Sequence, residues 1–278
     1  MSKCALVMTH RWPKETACAF DPLRAAALKA GFTLRFDADE TAKHGLTPVE
    51  GFELDADTTA SVDICIVLGG DGTILSALRR FAHTGVPVFA VNFGEVGFLA
   101  TIEPESMERD FARAFAGDFE ELALPAVVVD GPDGKVEAIN DVSIHRKVGE
   151  RVAELAYLIE GEEVGSVRCD GVVVATPAGS TGYNLANGGP VLAWGVEGFV
   201  VSFIAPHSLT ARALVVAPND VLEICNQSVD GVDVIVDGRP MWELAAGEAV
   251  SLTFRHEVSR LAQVPGSTFY RRLREKFG

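Results

Sequence analysis

The chain is poor in positive charge. Lys and Arg total 24 against 39 Asp and Glu, a net charge of −15 over 278 residues. It therefore lacks the electrostatic footprint of a general nucleic-acid or anionic-membrane binder. A polyanion would have to be held locally, by backbone amides, a few arginines or a metal ion. Cysteine is sparse too. The five cysteines (4, 18, 65, 169 and 225) are odd in number, widely separated and in no metal-ligand spacing. That argues against a disulfide framework and against a cysteine metal site. No apolar run reaches the length of a membrane span; the longest, around residues 172–175 and 199–205, are strand-sized. Residues 2–8 begin basic and turn apolar, as a signal peptide does. The apolar part is too short, and His10-Arg11 ends it without a small-residue cleavage site. Internal repeats and low-complexity segments are missing as well. With apolar residues at 48% there is ample material for a core. A soluble, cytoplasmic globular protein is expected, as one large domain or two of ordinary size.

The first third alternates strand and helix patterns. Short apolar runs at 4–8, 62–68 and 87–91, with an extended piece at 33–36, are separated by helical spacing at 22–30 and 74–82. Unbroken apolar strands between amphipathic helices indicate a parallel sheet covered on both faces. Acidic residues 41–59 show little apolar periodicity and read as a loop. A helix over 104–116, with proline near its start and Gly117 after its end, closes this region. The texture then changes to short strands at 126–129, 136–145, 154–159, 172–176, 198–204, 221–225, 232–236 and 249–254. Turn signals such as Asp130-Gly131-Pro132-Asp133-Gly134 divide them, which suggests an all-β sandwich or packed sheets. Residues 267–277 look helical and basic. The expected organisation is an α/β domain over 1–118, a sandwich-like β domain over 119–262, and a helix over 263–278 returning to the first domain.

Leu68-Gly69-Gly70-Asp71-Gly72-Thr73 lies directly after a buried strand and directly before a helix. Glycines there let the backbone turn sharply and approach a ligand, and the helix that follows offers N–H groups suited to phosphate. With no lysine after it, this is not a Walker A loop, nor is it a Gly-x-Gly-x-x-Gly fingerprint. It sets one carboxylate among phosphate-binding glycines, where Asp71 accepts a proton from a hydroxyl or holds Mg²⁺. The alternative is that Asp71 merely caps the helix. A second strand, opened by Asp170-Gly171, runs into Thr176-Pro177-Ala178-Gly179-Ser180-Thr181-Gly182-Tyr183-Asn184, followed by Asn187-Gly188-Gly189-Pro190. Small and hydroxyl residues over 176–189 are long for a mere turn. Such a loop meets a nucleotide by backbone approach, hydroxyl hydrogen bonds and ring contact.

These motifs resemble those of the NAD kinase (ATP-NAD kinase) family, bacterial type, over nearly the whole chain. Gly69-Gly70-Asp71-Gly72-Thr73 is similar to the family's first motif, and Asn92-Phe93-Gly94-Glu95-Val96-Gly97-Phe98-Leu99 to its Asn-x-Gly-x-x-Gly-Phe-Leu segment. Asn140-Asp141 stands where the family has Asn-Glu. Residues 170–190 resemble its long central motif, and Pro206-His207-Ser208-Leu209 the segment after it. Five motifs in the right order carry the resemblance.

The resemblance implies a Rossmann-like domain, a β domain, and transfer of the ATP γ-phosphoryl group to the adenosine 2′-hydroxyl of NAD, giving NADP. Asp71 would be the catalytic proton acceptor, with Gly69, Gly70, Gly72 and Thr73 forming the phosphate loop. Asn140 and Asp141 would hold NAD hydroxyls, and Asp170 the nicotinamide end. Thr181, Gly182, Tyr183, Asn184, Leu185 and Ala186 would wall the adenosine pocket, and Arg151 and Arg168 would contact the dinucleotide. Three departures stand out. Asp141 is one methylene shorter than the usual Glu, Ala178 and Gly182 replace a common Thr and Ala, and Arg239 stands where Gln is common. ATP with Mg²⁺ or another divalent cation is the expected cofactor, the metal held mainly by substrate phosphates with no direct protein ligand. Arg168 favours ATP over polyphosphate as donor. The expected assembly is a homodimer or homotetramer, with no nucleic-acid or membrane partner. Other readings of the same loop are a diacylglycerol or sphingosine type lipid kinase, a phosphofructokinase and a non-catalytic dinucleotide sensor. His10, His44, His83 and His256 read as surface or loop residues, His145 as secondary to the site. His207 is read as structural or as a substrate contact. The run Arg271-Arg272-Leu273-Arg274-Glu275-Lys276 reads as a solvated helix face or an intersubunit patch.

Overall fold

The computed structural model describes residues 3–58, 61–94, 97–100 and 102–278. It divides into two units, Met1–Ala123 with Ser259–Gly278, and Leu124–Val258.

In the first unit the strands are β1 (Lys3–Thr9), β2 (Phe32–Arg35), β3 (Phe52–Glu53), β4 (Ile64–Leu68) and β5 (Pro87–Val91). The helices are α1 (Pro13–Thr16), α2 (Phe20–Ala30), α3 (Ala38–His44) and α4 (Asp71–Arg80) between the strands, and α5 (Met107–Ala116) after them. The strands pair in the order β3-β2-β1-β4-β5, and every pair is parallel. All of β4 is buried, and β1 and β5 nearly so. Unbroken apolar runs suit a parallel sheet because both of its faces are covered. Leu23 and Ala27 of α2 share a core with Phe111, Ala114 and Phe115 of α5. Each of these helices ends on a left-handed glycine, Gly31 (φ 75°) and Gly117 (φ 73°).

One expectation fails here. Residues 41–59 are not all loop, because α3 extends to His44 and β3 lies within the segment. The helix is held by polar contacts that apolar periodicity does not register. The Asp37 side chain accepts from the Glu40 amide at 2.9 Å. Buried Glu40 accepts from the Thr9 amide at 2.9 Å and the Thr9 hydroxyl at 2.7 Å.

The second unit continues with β6 (Glu120–Gly131), β7 (Gly134–Ala138), β8 (Asp141–Arg146), β9 (Ala153–Ile159), β10 (Glu162–Cys169) and β11 (Gly171–Ala175). After the short helix α6 (Tyr183–Ala186) come β12 (Phe199–Ile204), β13 (Leu214–Val216), β14 (Leu222–Asn226), β15 (Val232–Val236), β16 (Arg239–Leu244) and β17 (Ala249–Gln263). One antiparallel sheet runs β13-β12-β11-β8-β15-β16. A second antiparallel set joins β10, β9, β14 and the first half of β17. Val142, Ile144, Val172, Val174 and Val234 of the first share a core with Leu155, Val167, Ile224 and Leu252 of the second. The last residues of β17 belong to the first unit, where they pair in parallel with β5. The chain ends in α7 (Phe269–Phe277).

The strand expected at 136–145 is two strands, β7 and β8, broken at Ile139-Asn140. Strands β10, β13 and β16 carried no clear signal. β10 opens with Glu162-Glu163 and is exposed over most of its length, and β16 opens with Arg239-Pro240. Edge strands of this kind lack the apolar alternation that marks a half-buried one. No described helix is long and apolar enough to cross a membrane.

Candidate active site

In a parallel sheet, ligands collect at the carboxyl ends of the strands where the strand order reverses. Here the order reverses between β1 and β4, which are neighbours while the chain winds outward from each. Thr9-His10-Arg11 leaves the end of β1 and Gly69-Gly70-Asp71 the end of β4. A cavity of about 450 Å³ opens there, lined by His10, Arg11, Gly70, Asp71, Gly72, Thr73, Gly94, Gly97 and Lys276. No side chain caps α4, whose N-cap is Gly70. The amides of its first turn are thus suited to an anion, and the helix dipole favours negative charge at the same spot.

Asp71 does not cap its own helix. Its carboxylate turns to the loop after β5, accepting from the Phe98 amide at 2.9 Å on Oδ2 and from the Leu99 amide at 3.1 Å on Oδ1. Gly97 is required for this approach, since a Cβ at that position would run into the Asp71 carboxylate. Two fixed amides hold the carboxylate and leave lone pairs for another donor. Glu95 and Val96 of the Asn92–Leu99 segment lie outside the described residues.

The second unit carries the remaining motif residues. Asp237, at a positive φ of 47°, closes the turn between β15 and β16. Its carboxylate accepts from the amides of Ile139 (3.2 Å), Asn140 (2.8 Å) and Asp141 (3.2 Å). Three donors drawn to one carboxylate take these amides out of the ladder and break the predicted strand. Asp141 is 9% exposed, and burial first, with the negative Asp237 second, pushes its carboxyl up to about 7. Asn140 Oδ1 is buried without a hydrogen-bond partner, an orphaned acceptor of the kind a ligand donor satisfies.

Asp141 pairs with Ala175 at the end of β11, where the loop of small residues begins. The loop is ordered by its own hydroxyls. Thr176 Oγ1 donates to Ile139 O at 2.7 Å, and Ser180 Oγ donates to Pro177 O at 2.7 Å. A Cβ on Gly179 would collide with the Asn140 carbonyl. Ala178 is buried, and Thr181 Oγ1 donates to its carbonyl at 3.1 Å. Asn184 is buried and structural, its Nδ2 donating to Ser180 O at 2.8 Å and Pro190 O at 3.0 Å. Gly182, Tyr183 and Ala186 face outward, with Thr181 and Leu185 partly exposed. The Tyr183 ring stacks on His145, centroids 5.6 Å apart and planes at 16°. His145 sits opposite Gly171, so this ring pair lies at the Asp170 end of β11. Asp170 Oδ1 accepts from Arg146 Nε at 2.5 Å. Asn140 and Asp141 thus stand at one end of the strand and Asp170 at the other, on the order of 20 Å apart at about 3.3 Å per residue. Arg151 and Arg168 meet at a separate cavity of about 190 Å³, and exposed Arg239 starts β16 beside Asp237.

Sequence reasoning missed five side chains. His10 and Arg11 were given a loop role or none, although a position directly after the first strand of a parallel sheet is a signal for a ligand site. Arg146 carries no motif. Lys276 and Arg272 read as solvated, yet α7 places Phe269, Arg272 and Lys276 on one face at helical spacing. Arg272 is 7% exposed, and Lys276 lines the Asp71 cavity.

Comparison with known proteins bears on both units. The family model for the ATP-NAD kinase N-terminal domain matches residues 25–119, and that for the ATP-NAD kinase C-terminal domain matches residues 139–263. The NAD kinase of Gemmatimonas aurantiaca is 34% identical over 283 residues, covering 98% of this chain and 94% of its own. That of Lachnoclostridium phytofermentans is 35% identical over 261 residues, 89% of each chain. Among solved structures, yeast NADH kinase complexed with NADH superposes with a TM-score of 0.86 over 98% of this chain and 86% of that one, at 24% identity. At that identity the likeness is one of fold. An N-terminal unit with a carboxylate among glycines and a C-terminal β unit with the Asn-Asp pair each match their own half of one family, and this chain belongs to the ATP-NAD kinase family.

Proposed function

We propose that the chain transfers the γ-phosphoryl group of ATP to the 2′-hydroxyl of the adenosine ribose of NAD, giving NADP and ADP. The observation that carries this reading is the Asp71 carboxylate, fixed by two backbone amides in a cavity whose wall is a helix N-terminus and two basic side chains, Arg11 and Lys276. Phosphoryl transfer leaves a protein little covalent work, and rate comes from in-line positioning and neutralisation of charge. A secondary hydroxyl is a poor nucleophile, so Asp71 takes its proton as the oxygen attacks the γ-phosphorus. The bond from that phosphorus to the bridging oxygen breaks, and ADP leaves with the electron pair. The amides of Gly70 and Gly72 and the cations of Arg11 and Lys276 bind the phosphates. Among the described residues, no three His, Cys, Asp or Glu side chains gather into a metal-holding set. Mg²⁺ or another divalent cation carried on the phosphates of ATP would supply further neutralisation there.

Acceptor and product differ by one phosphate at the reacting oxygen, so NAD has to be held by its other groups. Asn140 Oδ1 and the Asp141 carboxylate accept hydroxyl protons. Arg146 occupies Oδ1 of Asp170 and leaves Oδ2 for an amide at the nicotinamide end. Tyr183, already stacked on His145, presents a ring for base contact, with Thr181, Gly182, Leu185 and Ala186 around it. Arg151, Arg168 and Arg239 supply positive charge for the dinucleotide phosphates. Val148, Leu209 and Val229 are 102%, 93% and 80% exposed, which suits burial in a homodimer or homotetramer. The compartment of this reading is the cytoplasm.

The test is product analysis. The purified chain is incubated with ATP, Mg²⁺ and NAD, and in parallel with ATP, Mg²⁺ and diacylglycerol vesicles. Phosphorus NMR should show a new 2′-phosphomonoester on the dinucleotide and no lipid phosphate. Lipid phosphate, or NAD binding without turnover, would contradict the proposal.

A further inference from the structure

We propose that Arg272 is a positioning residue for this reaction, acting on Asp71 through the peptide group that joins Phe98 to Leu99. The inference rests on the reading of Asp71 as the proton acceptor.

The geometry is a chain of three groups. Arg272 Nη1 donates to the Phe98 carbonyl oxygen, across 174 residues of sequence. The N–H of that same peptide, on Leu99, donates to Asp71 Oδ1 at 3.1 Å. The peptide group is planar and stiff, so a guanidinium fixed at its oxygen fixes the direction of its N–H. A cation at the oxygen and an anion at the N–H also polarise the peptide in the same sense, and hydrogen bonds in series strengthen one another. The neighbouring amide, Phe98, completes the grip on Oδ2 at 2.9 Å.

Residues 97–99 belong to no helix or strand, so their own backbone ladder does not place them. Helix α7 does. Lys276 Nζ lies 4.7 Å from the centroid of the Phe98 ring, and the Phe277 ring lies 6.0 Å away on the same helix. Arg272 also reaches Ser267 Oγ at 3.4 Å. On the opposite side, Gly97 leaves no room for a side chain between the loop and the Asp71 carboxylate. The loop is thus held between the carboxylate and one basic helix face.

Burying a guanidinium is costly. Burial lowers the pKa of Arg272 to about 10, and the carboxylates of Asp71, Glu275 and Glu103 act against that fall. The side chain therefore stays charged at neutral pH. An apolar residue of similar volume would fill the place at less cost in stability, but it would leave the Phe98 carbonyl without its donor and the Leu99 N–H free to rotate away from Asp71.

The test compares Arg272→Met, Arg272→Gln and Arg272→Lys in the full chain, with Asp71→Asn alongside. Steady-state rates are taken with ATP, Mg²⁺ and NAD, and the Leu99 amide proton is followed by ¹H–¹⁵N NMR. Small displacements of a reacting group cost up to about 100-fold in rate. Arg272→Met should lose about 10- to 100-fold in kcat with both KM values within about twofold of the parent. Its Leu99 amide proton should move upfield. Arg272→Lys, which keeps charge and donor, should recover most of kcat and the amide shift. Arg272→Gln, a neutral donor, should fall between and stands in if Arg272→Met does not fold. A folded Arg272→Gln or Arg272→Met with parental kcat overturns the positioning role, as does a loss confined to KM. Asp71→Asn separates the two claims. If it turns over like the parent, the proton acceptor is misassigned. If it is inactive while the Arg272 variants match the parent, only the role of Arg272 falls.

Discussion

Asp141 should make the native state lose stability as pH rises through the weakly acidic range. Its carboxyl is pushed up to about 7, by burial and then by Asp237, whereas in the unfolded chain it titrates near 3.9. Between those values the native state holds a proton that the unfolded state has released, so stability falls with rising pH and levels off above about 7. A gap of about three pH units corresponds to an upper bound of ~4 kcal/mol. Asp141→Asn keeps the shape and removes the titration. Denaturant melts of parent and variant at pH 5, 6, 7 and 8 single out this group, because titrations independent of Asp141 cancel in the difference. The variant's advantage should grow steadily from pH 5 to 7 and then hold constant. Parallel stability curves across that range would refute the reasoning. A second consequence follows for binding. If NAD donates hydroxyl protons to Asp141, binding favours the ionised form and releases protons near pH 7. Calorimetry in buffers of different ionisation enthalpy should detect that release in the parent and not in Asp141→Asn.

Further outcomes are expected elsewhere in the site. Asp237→Ala leaves three amides without their acceptor and should cost about 3 kcal/mol in denaturant melts, at 1–3 kcal/mol for each buried unpaired group less what water recovers. Asp237→Asn, which keeps the acceptor and loses the charge, should move the Asp141 stability transition to lower pH. Gly97→Ala pushes a methyl into the Asp71 carboxylate and should lower kcat by about 100-fold with little change in the KM for NAD. Gly179→Ala drives against the Asn140 carbonyl and should instead raise the KM for NAD several-fold, as initial rates over a range of NAD will show.

How much of this was legible beforehand depended on the kind of interaction. The parallel sheet was readable because β1, β4 and β5 are buried on both faces and therefore nearly continuous in apolar residues. Asp71 was readable because its glycines, the strand before it and the helix after it are all local. Helix α3 was not, since Glu40 is held by Thr9, 31 residues away. The break between β7 and β8 was also hidden. Asp237 causes it from 97 residues downstream of Asn140, and residues 136–145 taken alone read as one strand. The basic run at the chain end misled for a related reason. Arginine and lysine favour solvent in general, whereas here the Phe98 loop, brought up by the fold, gives Arg272 and Lys276 partners.

The reaction turns on the oxygen that accepts the proton, and Asp71→Asn probes it most directly. The substitution keeps an oxygen for one of the Phe98 and Leu99 amides and removes the negative charge. General-base contributions are about 10²–10⁴-fold. The variant should therefore melt close to the parent and still bind NAD, yet form NADP at least about 100-fold more slowly. A folded Asp71→Asn protein that makes NADP at the parental rate would contradict the account.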